Sequence, residues 1–118
     1  MMKKEHNFTW FHRGVNDENL QLMINFKKHL LIKNLKEGTI HEYMKEISNW
    51  MKFLQLKKIK TFEANVEDLA EYLNRDISEA RRTRIISVLS TFYKHNKKKR
   101  YCKVNIVEEY KKKNKERR

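Results

Sequence analysis

The sequence predicts an all-α domain, on three observations. Its 118 residues include no proline and only two glycines, Gly14 and Gly38, so few positions interrupt a helix. Apolar residues recur three and four apart in several segments, the period of a helix burying one stripe. No segment alternates apolar and polar residues with period two, as a half-buried strand would. The length suits one domain with a modest core.

The elements follow in order. Residues 1–15 read as an extended leader whose Phe8, Trp10 and Phe11 can pack back onto the body. Asn16 or Asp17 can cap a first helix, with Asp17 and Glu18 favourably placed in its first turn. That helix is expected to reach about Lys33 and to bury Leu20, Met23, Ile24, Leu30 and Leu31. Gly38 marks the break before a second helix that continues to about Leu56. In it Ile40, Tyr43, Ile47, Trp50 and Leu54 are spaced three, four, three and four apart. At about 100° per residue, His41, Lys45, Ser48 and Lys52 gather on nearly the opposite side, and Glu42, Glu46 and Asn49 form a third strip.

Residues 57–62 are a connecting loop. Asn65-Val66-Glu67-Asp68 has the form of a capping box, with Asp68 in place of the usual Glu or Gln. The short third helix it opens is expected to bury Val66, Leu69, Ala70 and Leu73. Ser78-Glu79 opens a fourth, with Ile85, Ile86, Leu89, Phe92 and Tyr93 on its apolar face. Beyond the basic run Lys97 to Arg100, Val104, Ile106, Val107 and Tyr110 can support a last short helix. The expected organisation is a leader (1–15), a helical domain (16–107) and a basic tail or interdomain linker (108–118).

Charge points to a polyanionic partner. The formal charge is +13, and the segment from Lys94 to Arg118 holds 12 bases and three acids. Such a balance suits nucleic acid or an anionic membrane surface. No apolar run approaches the ~20 residues that cross a bilayer. Basic residues at the amino terminus are not followed by an apolar segment that would direct export, so nucleic acid is the stronger reading and a cytoplasmic location is expected. Cys102 is the only cysteine, which rules out an intrachain disulfide and fits a reducing compartment. Beside Lys103 it reads as a small apolar filler or a reactive thiol. The five histidines show no metal-ligand spacing, so no metal or other cofactor is expected, and no small-molecule substrate.

Two faces can carry a function. Helix four places Arg81, Arg82 and Arg84 in its first two turns, where positive charge opposes the helix dipole. Three arginines at such a place suggest that an outside anion satisfies them. Further along, Thr83, Arg84, Ser87, Thr91 and Lys94 lie opposite the apolar face, and short hydroxyls between bases allow close approach to phosphates and base edges. An ordinary solvated face partly neutralised by Glu79 is the plainer reading. The run Lys97, Lys98, Lys99 and Arg100 suits phosphates or mere solubility. Trp50, Phe53, Phe92 and Tyr93 have the residue type of stacking platforms for single strands, but their helical spacing assigns them to the core.

Four segments together resemble a known family. Thr39-Ile40-x-x-Tyr43-x-x-x-Ile47-x-x-Trp50-x-x-Phe53-Leu54 resembles the second helix of the SAM-like core-binding domain of phage integrases, in the tyrosine recombinase family. Phe26 through Leu30 is similar to the first-helix pattern, Val66-Glu67-Asp68-Leu69-x-x-Tyr72-Leu73 to the third, and Arg84 through Tyr93 to the fourth. The resemblance covers about residues 17 to 107. It implies a four-helix, largely orthogonal bundle that forms half of a clamp around duplex DNA, with the outer sides of helices two and four toward the duplex. Carried over by position, its implied contacts are Thr39 and the start of helix two, with Arg84 and Ser87 on helix four; Lys36 and the basic strip of His41, Lys45 and Lys52 join them as DNA-binding candidates, with other protomers on the same DNA as further partners.

Two departures qualify this. Ile106 follows Asn105 where the family has proline entering the interdomain linker. No histidine has arginine three residues on, so the constellation that stabilises and attacks a scissile phosphate is absent and this chain is not expected to catalyse strand exchange. A self-standing small phage regulator and a helical protein-interaction module remain the alternatives.

Overall fold

The computed structural model describes residues 13–116. The leader's Phe8, Trp10 and Phe11, and Arg117 and Arg118, therefore lie outside the described residues. Those described form five α-helices and no strand: α1 (Asp17–Ile32), α2 (Glu37–Leu56), α3 (Val66–Leu73), α4 (Glu79–Lys98) and α5 (Ile106–Glu116), with a 3-10 turn at Thr61–Glu63. None of the helices is long and apolar enough to cross a membrane.

Short polar side chains set the helix starts. Asn16 accepts from the Asn19 amide (2.8 Å) at the head of α1. Asn65 and Asp68 bond each other's backbone amides reciprocally at 2.9 Å, so the expected capping box forms. Ser78 accepts from the Arg81 amide (3.1 Å). Asn105, buried, accepts from the Val107 amide (3.0 Å) and donates to the Ser90 carbonyl (3.2 Å), so the residue that starts α5 also ties it to α4. Ile106 then occupies the first helical position, where a proline would also fit because that N–H has no partner within the helix.

The helix ends are less usual. The chain breaks between α1 and α2 at Asn34 (φ 60°), not at Gly38, which lies in the first turn of α2. α2 and α4 both close with two backward bonds from the residues after the cap, Lys58 to Gln55 and Ile59 to Leu54, and Arg100 to Lys97 and Tyr101 to Asn96. This closure puts one residue in the left-handed region, a place that favours glycine. Here it is held by Lys58 (φ 60°) and Arg100 (φ 65°).

Helix α2 is central, with α1, α3 and α4 all packed against it, and α5 lies across α3 and α4. Met23, Phe26 and Leu30 of α1 meet Ile40, Met44, Ile47, Trp50, Met51 and Leu54 of α2, which meet Leu69, Tyr72 and Leu73 of α3 and Ile85, Val88, Leu89, Phe92 and Tyr93 of α4. Ile106 and Val107 anchor α5, which continues through the segment where the sequence suggests a basic tail. Among the expected core residues, Leu20, Ile24, Val66, Ala70 and Ile86 are half-buried and Leu31 is 55% exposed, because α1 meets its neighbours along the Met23–Phe26–Leu30 line.

Polar bonds complete the interior. Gln55 accepts from the Asn16 amide (2.9 Å) and the Asn19 side chain (2.8 Å) and donates to the Gly14 carbonyl (2.6 Å). Gly14 has φ 81°, and a Cβ there would lie 3.3 Å from the Lys52 side chain, so the position suits glycine on both counts. Deeper, the Trp50 indole donates to the Tyr93 hydroxyl (3.0 Å), which donates to the Thr61 carbonyl (2.6 Å). Burial pushes the Tyr93 phenol well above its ordinary pKa, which keeps the proton that this second bond needs.

Replacing Arg100 by glycine is expected to stabilise the fold by about 0.5–1 kcal/mol, the relief of left-handed strain less glycine's greater freedom when unfolded. Urea unfolding reads this as a higher midpoint. An unchanged or lower one contradicts the strain assignment.

Candidate nucleic-acid interface

The geometry corrects the first argument drawn from the arginines of α4. All three have partners within the fold. Arg82 turns back to α3, donating from Nε to the Leu73 carbonyl (2.8 Å) and from Nη2 to the Arg75 carbonyl (3.5 Å), and it pairs with Glu79. It thereby satisfies a carbonyl that the end of α3 leaves open. Arg81 pairs at 3.4 Å with Glu46, whose side chain is fully buried. Arg84 lies 3.7 Å from Glu42, which also stands 4.0 Å from Lys45. No outside anion is needed to explain three positive charges at the head of α4.

The outer side of α2 also differs from the simple wheel. Ser48 is buried rather than part of the basic strip, and Glu46 is buried rather than on an exposed acidic strip. The reason is packing on two sides. A helix resting on one neighbour buries one stripe, whereas α2 is covered by α1 on one flank and by α3 and α4 on the other. What remains outward is narrower: exposed His41 and half-buried Lys45, Asn49 and Lys52, with half-buried Glu42 at its border toward α4.

That border joins the two faces. Glu42 contacts Lys45 on its own helix and Arg84 on α4, so the outward sides of α2 and α4 form one surface. From Arg84 it continues along exposed Thr83, Ser87 and Lys94 and half-buried Thr91. Thr91 donates its hydroxyl proton to the Ser87 carbonyl (3.1 Å), which leaves it as an acceptor. Thr83, Ser87 and Thr91, with Ile86 and Ser90, line an open groove of about 350 Å³ whose far wall is Lys111 of α5. Lys111 was not legible as a neighbour of this face, since α5 brings it back from twenty residues beyond Thr91.

Two further basic groups flank the surface. Lys36 and Thr39 are exposed at the head of α2, where Lys36 makes no side-chain cap bond. At the other end of α4, Lys97, Lys98, Lys99 and Arg100 are exposed, and cations there complement the helix dipole. Under them the rings of His29 and His95 meet at 4.1 Å, tilted by 33°, beside Phe26. Burial, then neighbouring positive charge, lowers both, His95 to about 4. Both imidazoles are neutral at pH 7, so this end presents lysines over an uncharged aromatic patch.

Comparison with protein-family models, with curated proteins and with solved structures returned no match.

The other chemistry is sparse. Among the described residues no three histidines, cysteines or acids converge as metal ligands. Burial raises the Cys102 thiol, which favours the filler over the reactive nucleophile. Trp50, Phe92 and Tyr93 are fully buried and Phe53 half-buried against Trp50 and Tyr72, so they pack the core rather than stack on bases.

Two outcomes test this geometry. Arg81→Ala leaves the Glu46 carboxylate buried without a cation and is expected to cost about 2–3 kcal/mol, below the ~3–5 of a fully buried pair because Arg81 keeps 34% of its side chain exposed. Arg84→Ala, at an exposed pair, should cost under about 1 kcal/mol. Equal losses in urea unfolding contradict the assignment. At His95, the unfolded chain takes up a proton as pH falls through 6.5, the folded chain only near 4, and His29 is shifted in the same direction. Stability is therefore full above about pH 6.5 and declines below it. The urea midpoint should fall between pH 7.5 and 5.5, and His95→Gln should flatten that fall; an equal fall in the variant refutes the role of the pair.

Proposed function

We propose that this chain is a duplex-DNA-binding domain of the kind that clamps the core site in phage and mobile-element integrases, and that it does not catalyse strand exchange itself. The observation that carries the reading is the continuity of the α2 and α4 outer sides through Glu42 and Arg84. Those are the two helices whose outer sides the resemblance turns toward DNA, and their junction gives a duplex one surface instead of two separate patches. The five-helix arrangement suits this reading as a four-helix bundle to which α5 is added. Ile106 in place of the family's proline is no obstacle, because it holds the first position of a helix.

Binding on this reading is mainly to phosphates. Arg84, Lys45, Lys52 and Lys94 supply charge, and Thr83 and Ser87 allow close approach. Arg81 and Arg82 add to the field but are committed to Glu46 and to α3. Lys36 and Thr39, and Lys97 to Arg100, extend the contact at either side. A self-standing regulator is the second reading, favoured by α5 packing back onto α3 and α4 rather than leading away from them.

Fluorescence anisotropy with a labelled duplex tests the proposal. Binding should weaken with salt by about 0.9 in log K per decade for each phosphate contacted. Arg84→Ala, and Lys45→Ala with Lys52→Ala, should weaken it several-fold and lower the salt slope by about one and two contacts, with helicity intact. Unchanged binding in both variants overturns the assignment of these faces. No duplex binding at physiological salt favours a protein-interaction module.

A further inference from the structure

The surface just described contains one acid at its centre, and its geometry is unlike that of the other ion pairs. Glu42 stands between Arg84 and Lys45 at 3.7 and 4.0 Å, both beyond hydrogen-bond length, and its Oε1 is enclosed yet accepts no hydrogen bond. Its side chain is 43% exposed and that of Arg84 47%. Glu46, one turn on, is fully buried and lies within hydrogen-bond reach of Arg81. The two carboxylates therefore differ in kind. Glu46 is part of the fold, whereas Glu42 neutralises two outward cations without locking either one.

An exposed pair of this geometry has little to lose on exchange. A phosphate oxygen can approach a guanidinium to about 2.8 Å and form the charge-assisted bonds that Glu42 does not make. We propose that Glu42 is an electrostatic counterweight built into the DNA-binding surface. It occupies Arg84 and Lys45 in the free protein, competes with backbone phosphates for them, and so holds down binding to arbitrary duplex. This rests on the duplex-binding reading above and adds to it the acid that sets the strength of non-specific binding.

The test is the binding of a random-sequence 30-base-pair duplex to the whole chain and its Glu42→Gln variant across a salt series. Glu67→Gln, the same change of charge on α3, serves as the control. Glu42→Gln is expected to bind about three- to tenfold tighter, with a salt slope steeper by about one to two contacts. Glu67→Gln should change little, and the gain should shrink when Glu42→Gln is placed in an Arg84→Ala background. If the parent chain binds duplex but Glu42→Gln is no tighter, the counterweight is refuted and the duplex reading stands. A gain matched by Glu67→Gln, or undiminished without Arg84, also refutes it, since net charge then suffices. If neither protein binds duplex, the duplex reading fails and this inference with it.

Discussion

The crossing of α2 on α4 depends on one buried relay, from the Trp50 indole through the Tyr93 hydroxyl to the Thr61 carbonyl. Each of these groups lies out of reach of water, and a buried donor without an acceptor is costly. Sliding one helix along the other would strand the indole and the phenol together. The relay thus fixes register as well as proximity. Trp50 against Tyr93, Glu46 beside Arg81 and Glu42 beside Arg84 are then the polar contacts through which α2 meets α4. The outer surface inherits its order from an interaction in the core.

That order separates two uses of charge on a strongly basic chain. Arg81 and Arg82 serve the fold, one neutralising a buried carboxylate and the other closing the carbonyl end of α3. Arg84 and Lys45 stay at the surface in long contacts with Glu42, and the lysines at the far end of α4 are exposed. The adjoining imidazoles of His29 and His95 are kept uncharged beneath those lysines, which spares the fold two more positive charges where they already crowd. Such a division lets a protein carry a net charge of +13 without concentrating repulsion in its core.

How much of this was legible in the sequence varied with the range of the interaction. Helix starts were plain, because Asn16, the Asn65–Asp68 box and Ser78 act on amides three residues away. The apolar lines of α1, α3 and α4 were also plain in outline. Features that need two elements were not. Ser48 and Glu46 read as outward because a wheel presumes one packing partner, and α2 has neighbours on two flanks. Arg81 and Arg84 read as unsatisfied because their acids sit on α2, 35 and 42 residues earlier in the chain. Gly38 drew attention as the helix break, whereas Asn34 tolerates the left-handed turn. Lys111 joined the surface only because Asn105 starts α5 on the flank of α4. The resemblance to integrase core-binding domains drew attention to α2 and α4, but not to Glu42, the acid that joins them.

The central claim is that the outer sides of α2 and α4 form one duplex-binding surface. Its most direct test is an amide-resolved NMR titration of the chain with a short duplex. Shift changes are expected at His41, Lys45 and Lys52, from Thr83 to Lys94, and around Lys111, with α3 from Val66 to Leu73 unaffected. Changes centred on α3, or none at saturating duplex, would contradict it.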